Sequence, residues 1–157
     1  MTNTNIVSLN EENLSVAAES LARAFHNDPL QTYVFPDEAE RAARSPAHFA
    51  AALRYGMLFG EVLTTEGKPL GAAVWLPPET WEITPERATV AGFDDLPNVM
   101  GKEPANRFFS VLGAIDPYHR DVPPAHWYLM VIGVSPEACG QGLGGALIEP
   151  MMNRADA

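Results

Sequence analysis

Gly140, Gly142, Gly144 and Gly145 crowd into the stretch 140–145, after an unbroken apolar run and the short loop 135–139, and directly before a segment of helical character. That order is suited to holding an anion. The first N–H groups of a helix have no partner inside it, and the aligned peptide dipoles place partial positive charge at the same end. Glycines there remove the Cβ atoms that would keep a pyrophosphate from the backbone and allow unusual dihedral angles. No lysine is needed, and the stretch holds none. A tight turn before a helix is the plain alternative. Gly140, Gly142 and Gly145 also match the dinucleotide pattern G-x-G-x-x-G. That pattern calls for a second strand and an acidic residue about 20 positions on, and too few residues follow Gly145 to supply them. A P-loop is excluded because no Gly-Lys-Ser/Thr follows the glycines.

His126 and Tyr128 share side-chain parity at the start of the apolar run and are the candidates for proton transfer. Each also suits a strand-end role with an apolar body packed and a polar tip solvated. His119 reads as a loop residue with no partner at metal-ligand spacing, and His26 and His48 as isolated helix or helix-end residues. With one cysteine and four dispersed histidines, no metal site is expected. Glu79 and Glu82 are loop acids that reach a cleft mouth or simply face solvent. Trp75, Trp81, Phe93, Phe108 and Phe109 are candidates for an acceptor pocket or for ordinary core. Cys139, near a helix start, has the setting of a lowered-pKa thiol, but its expected role is structural.

These residues need elements to position them. The stretch 6–9 reads as a short first strand. Asn10 caps a helix over 11–25 with acids in its first turn, and Leu14, Ala17, Ala18, Leu21, Ala24 and Phe25 fall on one face. Asn27, Asp28 and Pro29 end it. A loop bearing Tyr33, Val34 and Phe35 follows, then a helical region over 37–59, with Ser45 as cap and Pro46 at the first position of a restart. Strands at 60–65 and 70–76 flank a turn at 66–69, and Pro77 stops the second. The stretch 81–118 is helical again, with a start at Thr84-Pro85 and a further helix over 103–115. The run 127–134, apolar throughout, predicts a central strand covered on both faces. Pro150 should kink the helix that follows the glycines. No linker divides the chain, so residues 1–157 are expected to form one domain.

Composition narrows the partners. The net charge is −10, and ten Lys and Arg are scattered along 157 residues. Nucleic-acid binding needs a basic stripe, so nucleic acid is not an expected partner. The acidic field favours solubility and would attract a cationic small molecule. No apolar stretch approaches about 18 residues, so no membrane span is expected. The polar start at 1–10 lacks a signal-peptide layout, and a lone cysteine fits a reducing cytoplasm.

The glycines gain meaning from their neighbours. His126-Trp127-Tyr128-Leu129, Gly133-Val134-Ser135-Pro136 and Gly140-Gln141-Gly142-Leu143-Gly144 together resemble motif A of the GNAT superfamily of acyl-CoA N-acyltransferases. The branch that includes puromycin N-acetyltransferase is the most similar. Leu21-Ala22-Arg23-Ala24-Phe25 with Asp28-Pro29, and Ala73-Val74-Trp75 with Pro78-Glu79, extend the resemblance over nearly the whole chain. It implies an α/β GNAT fold, a mixed central sheet flanked by helices, with acetyl-CoA as co-substrate. The backbone N–H groups of Gly140, Gln141, Gly142, Leu143 and Gly144, with Gly145 beside them, would hold the coenzyme pyrophosphate. The strand edge from Ile132 to Val134 would pair with the pantetheine arm, and an N–H there would polarise the thioester carbonyl, stabilising the oxyanion formed by the attacking amine.

Two departures matter. The family usually has Gln or Arg where this chain has Cys139. It also continues past the motif A helix with strands that supply a tyrosine acid and the second wall of the cleft, so the chain reads as ending before its domain is complete. The resulting expectation is acetyl transfer to a primary amine of a small molecule by direct attack. A non-catalytic acyl-CoA-binding or interaction module is the alternative. A third is a domain completed by another copy through the exposed edge of the central strand, that is, a homo-oligomer.

Overall fold

The computed structural model describes residues 4–157, so the first three residues of the polar start lie outside it. Strand β1 (Ile6–Ser8) leads into a 3-10 turn (Glu11–Asn13) and helix α1 (Leu14–Ala24). Helices α2 (Pro29–Val34), α3 (Glu38–Arg44) and α4 (Pro46–Phe59) follow. The hairpin strands are β2 (Glu61–Thr65) and β3 (Gly71–Leu76). Helices α5 (Pro85–Ala91), α6 (Leu96–Met100) and α7 (Lys102–Arg120) precede strand β4 (Tyr128–Val134) and helix α8 (Leu143–Ala155). Among the described residues no helix is long and apolar enough to cross a membrane.

Local chemistry explains most of these boundaries. The Asn10 side chain accepts from Asn13 N–H at 3.0 Å, so the expected cap forms, although it opens a 3-10 turn rather than α1 itself. The β2–β3 turn is stapled by Thr65, whose hydroxyl donates to the Lys68 carbonyl at 2.8 Å and accepts from Leu70 N–H at 2.9 Å. Thr84 caps α5 by accepting from Arg87 N–H.

Two expectations are corrected. The segment bearing Tyr33 and Val34 is helix α2, not loop: the Asp28 carboxylate accepts from Leu30 N–H at 2.9 Å and Pro29 takes the first helical position. Asp-Pro after a helix thus serves as stop and restart together. Ser45 is not a cap. Its backbone is helical (φ −61°, ψ −29°) and its buried hydroxyl has no partner, so the break between α3 and α4 belongs to Pro46, which lacks an N–H.

The strands form a four-stranded sheet in the order β1-β2-β3-β4. Helices cover both of its faces, as the α/β reading requires. The pairings β1–β2, β2–β3 and β3–β4 are all antiparallel, so the mixed pairing expected for this sheet is not found among the described strands. Each strand of this part follows its neighbour through a connection that reverses the chain. On one face Leu21, Leu53, Tyr55, Val74 and Leu76 belong to a large cluster beneath α1 and α4, and on the other Ala73 and Trp75 meet Leu147 and Met151 of α8.

The fully buried strand is β3, every residue of which is buried. The run 127–134 was expected to hold that place, but β4 is half-buried along its length and carries an open edge among the described strands. Side-chain apolarity reflects the faces that α1 and α8 cover. It carries no information on whether the strand's edge is paired.

Gly133 is where α1 crosses β4. A Cβ there would sit 2.8 Å from Phe25 Cε2, 3.0 Å from Leu21 Cδ2 and 3.2 Å from Ala24 Cβ. Gly133→Val is therefore expected to destabilise the fold by about 1–3 kcal/mol, the usual cost of overpacking a filled core. A urea midpoint equal to that of the parent would show that α1 can withdraw freely from the sheet.

Candidate functional site

The glycine loop lies where the sequence analysis put it, between the end of β4 and α8. A 3-10 turn (Pro136–Ala138) carries the chain from the strand, and the Arg23 guanidinium meets Glu137 at 3.1 Å, tying that turn to α1. The Glu137 carboxyl is held below the usual range, first by its own backbone N–H and then by Arg23. Gly140 and Gly142 take φ of +77° and +78°, the left-handed region that strains any residue with a Cβ. Gly142 is the N-cap of α8, with no side-chain cap on the helix start.

The backbone N–H groups of Gly140, Gln141, Gly142, Leu143, Gly144 and Gly145 have no backbone acceptor among the described residues. A Cβ built at Gly140, Gly142, Gly144 or Gly145 meets nothing within 4 Å. These glycines are therefore not there to fit neighbouring protein. The cradle is open to solvent, donor-rich and at the positive end of a helix, which is the chemistry that an anion site requires. Cys139 is exposed, its thiol turned to the Val134 and Ser135 carbonyls at 3.7 and 3.6 Å.

Leading away from the cradle, β4 presents its unpaired edge. Half of the polar backbone groups of an edge strand point outward, so a chain of amides can lie along it. Ile132 and Val134 sit on this strand with side chains toward the α8 cluster. At the middle of β4 the pairing shifts: Val74 opposes Val131 while Trp75 opposes Leu129. Met130 is the extra residue of a β-bulge, which bends the strand and re-aims its side chains. Tyr128, Met130 and Val131 accordingly all pack toward the large cluster.

At the far end of β4 lies an aromatic cluster. Tyr128 opens the strand, and His126 precedes it in the connection from α7. His119 is not in a loop. It occupies the last turn of α7, and its Nε2 lies 3.0 Å from Nε2 of His126. Its ring packs 4.1 Å from Tyr128 and 4.1 Å from Trp81, centroid to centroid. Burial is the first cause holding the His119 imidazole below its usual pKa, and His126 the second; Asp116 acts in the opposite direction. Burial raises the Tyr128 hydroxyl, so the phenol keeps its proton.

Tyr128 lines two adjoining clefts, of about 290 and about 430 Å³, which also share Ile83, Phe93 and Leu112. Of the candidate pocket aromatics, Trp81, Phe93, Phe108 and Phe109 line one or both. Trp75 does not; it faces α8 on the other side of the sheet. Glu82 is held by Arg120 at 3.4 Å. Among the described residues no group of His, Cys, Asp and Glu could hold a metal ion.

The residues that the sequence analysis did not bring together are His119 and His126. A signal was present, since Pro123-Pro124 between two histidines seven positions apart favours a chain reversal.

No protein-family model matches the sequence. Among solved structures, the chain is similar to one described as histone acetyltransferase HPA2 and related acetyltransferase from Corynebacterium glutamicum. The TM-score is 0.66 and the identity 24%, over 97% of this chain and 71% of that one. At that identity the likeness establishes a fold: the helices and antiparallel sheet described above are arranged as in that acetyltransferase structure.

Proposed function

We propose that this chain transfers an acetyl group from acetyl-CoA to a primary amine of a small molecule by direct attack. The observation that carries the reading is the donor-rich, Cβ-free cradle at 140–145, set at one end of an open strand edge. Acetyl-CoA would supply the activated acyl group. The backbone of Gly140 to Gly145 holds its pyrophosphate, and the β4 edge from Ile132 to Val134 aligns its amide-bearing arm. The strand is a ruler as well as a wall. Its residues span about 23 Å at the usual rise, which is comparable with the reach of an extended pantetheine arm and its acyl end. That brings the reacting carbonyl toward Tyr128 and the histidines. A backbone N–H on the edge is the oxyanion donor. The resemblance of motif A to the puromycin N-acetyltransferase branch and the acidic net charge both favour a small cationic acceptor.

The test is calorimetric titration of the chain with acetyl-CoA, dephospho-CoA and NAD. Acetyl-CoA and dephospho-CoA, which share the arm and the pyrophosphate, are expected to bind saturably, and NAD not to bind. A folded chain that takes up no acetyl-CoA would end the proposal.

A second reading is a non-catalytic acyl-CoA-binding module. It is favoured by Cys139, whose thiol turns to the β4 end rather than ordering the cradle as a longer polar side chain would. Binding of acetyl-CoA without transfer to any amine would select it. Pairing of the β4 edge with a second copy would compete with the coenzyme arm for the same backbone groups.

A further inference from the structure

The two histidines at the start of β4 form a directed pair. Nδ1 of His126 is within hydrogen-bond distance of the Pro123 carbonyl, and a carbonyl can only accept. Nδ1 of His126 therefore carries its proton, and Nε2 of neutral His126 is a lone pair. That lone pair faces Nε2 of His119 at 3.0 Å, so His119 must donate there. The remaining nitrogen, Nδ1 of His119, is then bare. The result is an imidazole on a cleft wall with its tautomer set by a neighbour, as a proton acceptor requires.

The cleft beside it says what it would receive. Phe109, Leu112 and Ile115 recur every third residue along α7, yet 37–48% of each is exposed. With Trp81, Ile83 and Phe93 they line the cleft of about 430 Å³ that His119 and Tyr128 close. Contiguous exposed apolar surface of this kind marks a binding groove. Asp94 stands on its wall as the carboxylate that can meet a cation, while Asp116 there is paired with Arg120 at 2.9 Å.

We propose that His119 takes the proton of the acceptor amine, with His126 as its positioning residue, and that the acceptor is a primary amine with an apolar body seated between α7 and the 81–93 segment. This rests on the acetyl-transfer reading above. In the reaction the amine nitrogen forms the C–N bond to the acyl carbon and the thioester C–S bond breaks. An acceptor that arrives as an ammonium loses two protons. The first passes to Nδ1 of His119 before attack and on to solvent. The second leaves the nitrogen as the C–S bond breaks and protonates the thiolate, so the pair is neutral again when amide and thiol depart. The charged or titratable groups around His119 are Asp116 and Arg120 on α7, Glu82 bound to Arg120, His126, and Tyr128 on β4.

The experiment measures kcat/KM for a series of primary amines with parent, His119→Ala, His126→Ala and His126→Gln chains, together with acetyl-CoA affinity. The parent should favour longer alkyl or aryl chains by about fourfold for each methylene buried. His119→Ala should leave acetyl-CoA affinity unchanged and lower kcat/KM about 100-fold for strongly basic amines near neutral pH. That deficit should shrink toward nothing for weakly basic amines, which arrive already deprotonated. His126→Gln, whose amide oxygen can accept from Nε2 of His119, should recover activity that His126→Ala loses. A deficit equal across amines of all basicities, or no preference for apolar chains, overturns the proposal. Acetyl-CoA binding without transfer to any amine overturns it too and leaves the coenzyme site standing; loss of acetyl-CoA binding removes the transfer reading itself.

Discussion

Replacing Gly144 with aspartate is expected to abolish measurable acetyl-CoA binding while leaving the chain at least as stable as before. Gly144 is the second residue of α8, and a Cβ built there meets nothing within 4 Å. The fold therefore accepts the side chain without a clash. A carboxylate in the first turn interacts favourably with the helix dipole, and removing a helical glycine adds a few tenths to about 1 kcal/mol of stability. The same carboxylate occupies the cradle where the pyrophosphate must sit. Two unit charges about 5 Å apart at an effective dielectric of about 20 repel by about 3 kcal/mol, which is more than a hundredfold in affinity. Thermal melting and calorimetry on one sample separate the effects. A variant that melts higher and still binds acetyl-CoA like the parent would place the coenzyme elsewhere.

The second large effect is on stability in mild acid. His48 is 3% exposed, its ring lies 4.2 Å from Phe49 and 4.7 Å from Phe108, and its Nε2 meets the Gln31 side-chain oxygen at 2.9 Å. Burial alone lowers its pKa from 6.5 to about 3. The folded chain thus binds one proton fewer than the unfolded chain between those values. Stability is highest above pH 6.5 and falls on acidification by about 1.4 kcal/mol per pH unit. From pH 6.5 to 4.5 the loss is about 2 kcal/mol, because the unfolded imidazole is only half protonated at the start, and it is a large share of an ordinary folding free energy. Glu61, held low chiefly by its bond to Arg154, and Glu137, held low by its own N–H and Arg23, lose their contributions only at lower pH. His119 is lowered as well but is partly exposed, so its share of the slope is smaller. Urea midpoints between pH 7 and 4.5 check this against His48→Leu, which should start lower and then stay nearly level. A variant that falls as steeply as the parent would clear His48 of the effect.

Much of this site was legible before any coordinates, and the reason is local. A glycine cluster between an apolar run and a helix has few conformations open to it, so the cradle could be read from neighbouring residues alone. The β2–β3 hairpin and the Thr84-Pro85 start were legible for the same reason. What escaped depends on pairing at a distance. Tyr128 to Val134 is a row of apolar residues and glycine, and nothing in such a row marks Met130 as the bulge or one edge as open. The approach of His119 to His126 is set by the path of the chain between a helix end and a strand start. Asp28-Pro29 was misread because one dipeptide can both end a helix and begin the next.

Arg41 and the segment it holds bear on how an acceptor enters. The Arg41 guanidinium, buried and without a carboxylate partner among the described residues, donates to the carbonyls of Phe35, His26 and Pro36 at 2.9, 3.0 and 3.2 Å. Arg107 adds two bonds from α7 to the Val34 carbonyl, at 3.0 and 2.8 Å. The wall of the cleft made by α2 and the first half of α7 is thereby cross-linked, and shifting it would strand buried donors. The second half of α7, from Phe109 to Arg120, has no comparable tie to α2 and carries Pro117 within it. That half-helix, the one bearing His119, is held instead from the other side, by Arg120 to Glu82 at 3.4 Å and by His119 to His126 at 3.0 Å. In the reaction proposed above, an amine entering between that half-helix and the 81–93 segment would meet the very contacts that position His119, so admission of the acceptor and presentation of the base would be coupled.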